Sequence, residues 1–99
     1  MELTTQKNGN ELTVRLSGEL NTLTAPKLAA LLEKELDGVE DLTLDFASCD
    51  YVSSAGLRVL LGTFKQMKAS GGDMCLVNVG ENFMDVLQNT GLDAVFGVV

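Results

Sequence analysis

Histidine is absent from the sequence, and its absence excludes several kinds of chemistry. Without an imidazole, no Ser-His or Cys-His nucleophile pair can form, and no histidine can ligate a metal. The two cysteines, Cys49 and Cys75, lack CxxC spacing, so we expect reduced and partly buried thiols. Asp45 and Asp50 have no further ligands at suitable spacing. We therefore expect neither a metal site nor a cofactor.

Basic residues and long apolar runs are also scarce. Seven lysines and arginines stand against fourteen aspartates and glutamates, for a net charge of −7. This charge repels phosphodiester backbones and anionic lipid, so we expect no nucleic-acid partner. No apolar run approaches the roughly 20 residues that cross a bilayer. Residues 1–10 lack the basic and apolar regions of a signal peptide, so we expect no membrane insertion and a cytoplasmic location.

The residues that are present suffice for one folded domain over residues 1–99. The chain is 45% hydrophobic and 21% charged, which is enough to bury a single core. Apolar periodicity predicts strands at residues 2–7, 11–16, 41–47 and 73–79, helices at 24–38, 54–68 and 81–89, and a short edge strand within 94–99. An Asn-Gly turn joins the first two strands. Strands and helices then alternate, which predicts an α/β fold with a mixed, largely parallel sheet.

Two adjacent serines, Ser53 and Ser54, stand in the stretch DYVSSAGLRVLLG, where the third strand leads into the second helix. The ligand-binding residues of open α/β sheets tend to lie just past the carboxyl ends of the strands. One serine could simply cap the helix, a structural role worth about 0.5–2 kcal/mol. A nucleophile elbow is only half present, because Val52 replaces its first glycine and no histidine base exists. No phosphate-binding P-loop motif occurs.

The remaining hypothesis is that Ser54 is a hydroxyl presented to a kinase. Ala55 and Gly56 would keep the approach to it open, because neither adds bulk. Phosphorylation adds about −1.5 to −2 charges, and the N-terminus of a helix tolerates negative charge. We therefore expect phosphorylation to change partner binding rather than folding.

The serine stretch resembles the signature of STAS domains, specifically the single-domain anti-sigma factor antagonists (anti-anti-sigma factors) of bacteria. Three longer segments, LSGELNTLTAPKL, LTLDFASCDYVSSAGL and NVGENFMDVLQNTGL, carry the same resemblance in the right order over nearly the whole chain. The resemblance implies a small mixed sheet that opens with a hairpin, with helices packed mainly on one face.

The same resemblance implies a regulatory phosphoprotein rather than an enzyme. In the family, the unphosphorylated antagonist binds an anti-sigma factor, which is itself a serine kinase, and frees the sigma factor for transcription. Phosphorylation of the serine corresponding to Ser54 ends the complex, and a phosphatase restores it. Ser53 is a second candidate acceptor. Asn21 and Ser53 stand where the family often has aspartate.

The expected partner-binding residues are Asn21, Thr22, Leu23, Tyr51, Ser53, Ser54, Ala55 and Gly56. Leu20, Leu23 and Tyr51 are candidate apolar anchors if they are exposed beside the serine, although Tyr51 could instead lie over the strand edge. The alternative function is a STAS subunit or scaffold of a membrane-associated transport or signalling complex that docks through this surface. A small-ligand sensor is a further alternative. Many relatives continue into another helix beyond the position of Val99, so we also expect a weak homodimer.

Overall fold

The computed structural model describes all 99 residues and contains five strands and four helices. In chain order these are β1 (Glu2–Asn8), β2 (Glu11–Ser17), α1 (Ala25–Glu35), β3 (Asp41–Ser48), α2 (Ser54–Ala69), β4 (Asp73–Val77), α3 (Glu81–Thr90), α4 (Leu92–Val95) and β5 (Gly97–Val98). The strands form one sheet in the order β1-β2-β3-β4-β5. Only β1 is antiparallel to its neighbour. The predicted α/β fold with a mixed, largely parallel sheet is confirmed.

The core lies on one face of the sheet. Val14, Leu44 and Leu76 stand in register on adjacent parallel strands and are fully buried. Alternation along the strands puts the side chains between them on the other face. That face carries residues such as Arg15 and Thr43, which are exposed or half-buried. The helices therefore pack mainly on one face, as the resemblance implied. Their core contributions include Leu28, Leu32, Leu60, Met67, Phe83 and Leu87.

The C-terminal third differs from the sequence prediction in two places. Strand β4 ends at Val77 because Asn78 adopts a left-handed conformation with φ 56°, which asparagine tolerates better than most residues. The predicted short edge strand is present as β5, but Gly91, with φ 75°, first turns the chain into the short helix α4, which was not predicted. Phe96 then enters the core, where its ring meets the Phe64 ring edge-on at 5.8 Å. No helix of the fold combines the length and apolarity that a membrane crossing needs.

Candidate functional site

The loops that precede α1 and α2 are joined by backbone hydrogen bonds. Leu20 and Val52 form an isolated parallel bridge beyond the ends of β2 and β3. The Leu20 amide donates to the Tyr51 carbonyl at 2.9 Å, and the Ser53 amide donates to the Leu20 carbonyl at 2.8 Å. This bridge continues the sheet past its strands and fixes the beginning of α2 against the segment that leads into α1.

The two serines have different positions at the beginning of α2. Ser53 is the N-cap, with extended backbone, and its hydroxyl oxygen accepts a hydrogen bond from the Gly56 amide at 3.5 Å. This is a long hydrogen bond, so its contribution belongs at the low end of the capping range, about 0.5 kcal/mol. Ser54 is the first helical residue, its side chain is exposed, and its hydroxyl makes no hydrogen bond within the chain. Capping therefore explains Ser53 and leaves the Ser54 hydroxyl free.

Gly56 lies beneath this surface rather than beside the hydroxyl. A Cβ atom there would lie 2.7 Å from Leu20 Cγ and 2.9 Å from Val52 Cγ1, closer than real Cβ contacts. The expectation that Gly56 keeps the approach to Ser54 open is therefore wrong. Its missing side chain allows the first turn of α2 to sit directly on the bridge between the two loops. Ala55 is half-buried and also packs against the core.

The turn before α1 is capped by a reciprocal pair of side chains. Asn21 Oδ1 accepts hydrogen bonds from the amides of Leu23 at 3.0 Å and Thr24 at 3.2 Å. In return, Thr24 Oγ1 accepts from the Asn21 amide at 2.8 Å and donates to the Glu19 carbonyl at 2.6 Å. Thr24 holds the N-cap position, but its side chain makes no cap bond to the helix. Asn21 thus supplies an acceptor oxygen that an aspartate could also supply, without the charge.

Two large apolar side chains are exposed in the loops around Ser54. Leu23 is 82% exposed and Tyr51 is 53% exposed, and the polar Thr22 beside Leu23 is exposed as well. Leu20 has no exposed surface, so the expectation that it could serve as an exposed anchor is wrong. It is buried because the bridge to Val52 and the first turn of α2 cover it.

A small cleft lies beside Tyr51. It measures about 270 Å³ and is lined by Asp50, Tyr51, Val52, Asn82, Phe83 and Val86. Its floor includes the buried Phe83, whose ring packs against Phe46 at 5.0 Å. Phe83 lies on the buried face of α3, but no local signal in the sequence connects the first turns of α3 with the loop before α2. Only tertiary packing places Asn82 and Val86 beside this surface.

Two titratable side chains have pKa values shifted from their ordinary values. On the open face of the sheet, hydrogen bonds from Asn78 and from the Ala47 amide, together with the Arg15 guanidinium, lower the pKa of Asp45. Burial raises the pKa of the Cys49 thiol, and the carboxylates of Asp50 and Glu19 raise it further. Asp50 and Glu19 belong to the two loops that precede α2 and α1.

The acidic and thiol side chains are not gathered into a metal site. No group of three or more histidine, cysteine, aspartate or glutamate side chains is arranged to hold an ion. Asp45 is engaged with its hydrogen-bond partners and with Arg15. Cys49 and Cys75 are free cysteines, the first buried and the second half-buried.

Comparison with known proteins agrees with this architecture. The STAS domain family model matches residues 2–99. The anti-sigma-B factor antagonist of Bacillus subtilis (strain 168) is 31% identical over 93 residues, which cover 94% of this chain and 85% of that protein. The anti-sigma factor antagonist SpoIIAA in its unphosphorylated form superposes with a TM-score of 0.75 at 19% identity, over 95% of this chain and 97% of that one.

The phosphorylated form of Bacillus SpoIIAA superposes with a TM-score of 0.79 at 20% identity, over 99% of this chain and 91% of that one. At this level of identity the two superpositions show a common fold. The match to the family model, by contrast, extends over almost every residue, and the Bacillus subtilis relative aligns along most of its own length. The chain therefore belongs to the STAS domain family.

Proposed function

We propose that this protein is an anti-sigma factor antagonist that binds an anti-sigma factor serine kinase until Ser54 is phosphorylated. The observation that carries the proposal is the exposed Ser54 hydroxyl at the first helical position of α2, unpaired while Ser53 makes the cap. The name of the Bacillus subtilis relative, an anti-sigma-B factor antagonist, supports the partner class. The existence of a phosphorylated SpoIIAA of the same fold supports the modification. In this role the chain is a cytoplasmic binding protein and not an enzyme.

In the proposed reaction the kinase supplies nucleotide, metal and base, and this chain supplies the oxygen. Ser54 Oγ attacks the γ-phosphorus of ATP, a new P–O bond forms, and the bond to the β,γ-bridging oxygen breaks so that ADP leaves. The hydroxyl proton passes to a base of the kinase. Because Ser54 Oγ holds no hydrogen bond within the chain, no internal contact has to break first. A phosphatase reverses the modification by transferring the phosphoryl group to water.

The phosphate would switch binding because of where it appears. The exposed apolar side chains of Leu23 and Tyr51 and the small Ser54 give a docking surface that an approaching partner can cover. A dianion placed within that contact has to be desolvated, and it adds to the nearby charges of Asp50 and Glu19. Removing an ion from water at an interface costs several kcal/mol. The helix itself tolerates the charge, because its first-turn amides and dipole favour anions.

The test is phosphate transfer from a purified partner kinase with ATP and Mg²⁺, followed by intact-mass spectrometry. We expect one phosphate on the native protein and none on Ser54→Ala. Ser53→Asp serves as the matched control, because aspartate is also a good N-cap, and it should still accept one phosphate. Phosphate remaining on Ser54→Ala would assign the acceptor to Ser53 instead. A partner that binds the native protein but never phosphorylates it would refute the switch and favour permanent docking in a membrane-associated complex.

A further inference from the structure

Arg58 occupies a distinctive position relative to the proposed acceptor. It lies four residues after Ser54 on the same helix, and both side chains are exposed. Residues at positions i and i+4 of an α-helix are neighbours on one face. Long helical side chains also lean toward the helix N-terminus and cover the preceding turn. The guanidinium of Arg58 can therefore reach the turn that carries Ser54.

No carboxylate of the chain engages Arg58. The two ion pairs of the fold are Arg15 with Asp45 and Lys68 with Asp73. Arg58 lines a groove between α1 and α2 together with Glu33, yet the two side chains form no ion pair. The next cation along α2 is Lys65, about three helical turns beyond Ser54. Arg58 is thus the only cation in the first turns of α2, and it is unpaired.

We propose that Arg58 captures the phosphate of phosphoserine 54 within the same helix, an inference that rests on the proposed modification of Ser54. An acidic group followed four residues later by a basic one is the favourable orientation for a helical ion pair. A phosphate carries more charge than a carboxylate, and an arginine can contact two of its oxygens at once.

This capture makes the switch a change of two charges. Before modification, the docking surface presents a neutral hydroxyl beside a free guanidinium. After modification, the surface carries a dianion, and Arg58 is no longer available to a carboxylate of the partner. Phosphorylation therefore adds a repulsive group and withdraws an attractive one in a single step.

The capture can be measured without any kinase. Phosphoserine is incorporated at position 54 during translation, and the second pKa of the phosphate is followed by phosphorus NMR in low-salt buffer. An ion pair with Arg58 favours the dianion and so lowers this pKa. We expect Arg58→Gln to raise it by about 0.2–0.4 pH units, from typical helical pair energies. Arg58→Lys should retain most of the effect because the charge is kept.

The control is Lys65→Gln, which removes the same charge from the same helix about 16 Å from Ser54 along the helix axis. It should shift the phosphate pKa by less than Arg58→Gln does, and high salt should abolish the difference between Arg58→Gln and the parent. Equal pKa values for Arg58→Gln and the parent in low salt would overturn the proposal, as would equal shifts for Arg58→Gln and Lys65→Gln. A failure of the kinase to modify Ser54 would instead overturn the proposed function, and the NMR result would be unaffected.

Discussion

Replacement of Gly56 by alanine tests how the site is built. The new Cβ atom would lie 2.7 and 3.0 Å from two atoms of Leu20 and 2.9 Å from Val52. Both neighbours are buried and held by the bridge between the two loops. Overpacking of this kind costs about 1–3 kcal/mol. Alanine recovers about 1 kcal/mol of helix propensity relative to glycine, so the expected net loss is up to about 2 kcal/mol.

Gly62 provides a matched control on the same helix. It is exposed, and a Cβ atom there would have no neighbour within 4 Å. Gly62→Ala should therefore gain up to about 1 kcal/mol from helix propensity alone. For a domain of this size, 1 kcal/mol moves the melting temperature by about 4–8 °C. Thermal unfolding followed by circular dichroism should thus show shifts of opposite sign for the two variants.

A double variant distinguishes a steric contact with Leu20 from a general intolerance of α2 to substitution. Leu20→Ala removes the side chain that Gly56→Ala would contact, so the double variant should be less destabilised than the sum of the single variants. Coupling of this kind between contacting residues reaches about 0.5–3 kcal/mol. If Gly56→Ala stabilises the protein as much as Gly62→Ala does, then α2 is not packed directly on the bridge and the reasoning is refuted.

Three further predictions concern the open face of the sheet and the loops around Ser54. Because the pKa of Asp45 is lowered from its ordinary value of 3.8, its stabilising contribution is present above that pH and is lost as the pH falls through the lower folded value. The unfolding free energy of Asp45→Asn, measured by urea denaturation, should accordingly fall less in acid than that of the parent. Asn21→Ala should cost about 0.5–2 kcal/mol of unfolding free energy because it removes a cap, whereas Asn21→Asp should keep that stability. Leu23→Ala and Tyr51→Ala should each weaken partner binding by at least about fivefold, the effect of 1 kcal/mol, with melting temperatures near that of the parent.

Each of these predictions has a distinct contrary result. If the unfolding free energy of Asp45→Asn falls in acid as steeply as that of the parent, then the hydrogen bonds of Asp45 do not favour its ionised form. Equal losses for both Asn21 variants would show that the Oδ1 acceptor is not what stabilises the turn. Calorimetric affinities that are unaltered in Leu23→Ala and Tyr51→Ala would place the docking surface elsewhere on the domain.

Local patterning predicted most of the fold because the sheet buries only one face. Alternation in β2 and β3 follows directly from that arrangement, and so does the helical spacing in α2. The exposure of Ser54 was predictable from a different signal, its position at the beginning of a helix that directly follows a loop. Helix α4 was missed because its position depends on Phe96 entering the core, which is a contact between distant parts of the chain.

The interior of the site could not be predicted from local patterns. Leu20 was expected as an exposed anchor, but it pairs with Val52 across thirty-odd residues of intervening chain and is buried. The same contact explains Gly56, whose small size was attributed to access rather than to packing. The cleft beside Tyr51 includes Asn82, whose helix reaches this surface only through tertiary packing.

The most direct test of the switch is to compare native protein with protein that carries phosphoserine at 54, measuring partner affinity and unfolding on the same samples. We predict that phosphorylation weakens binding to the anti-sigma factor kinase by more than about 100-fold, the effect of a few kcal/mol spent on desolvating the dianion. The melting temperature should stay within about 4–8 °C of the parent value, the shift that 1 kcal/mol produces. Equal affinities of the two forms, or a phosphorylated protein that no longer unfolds cooperatively, would contradict the account.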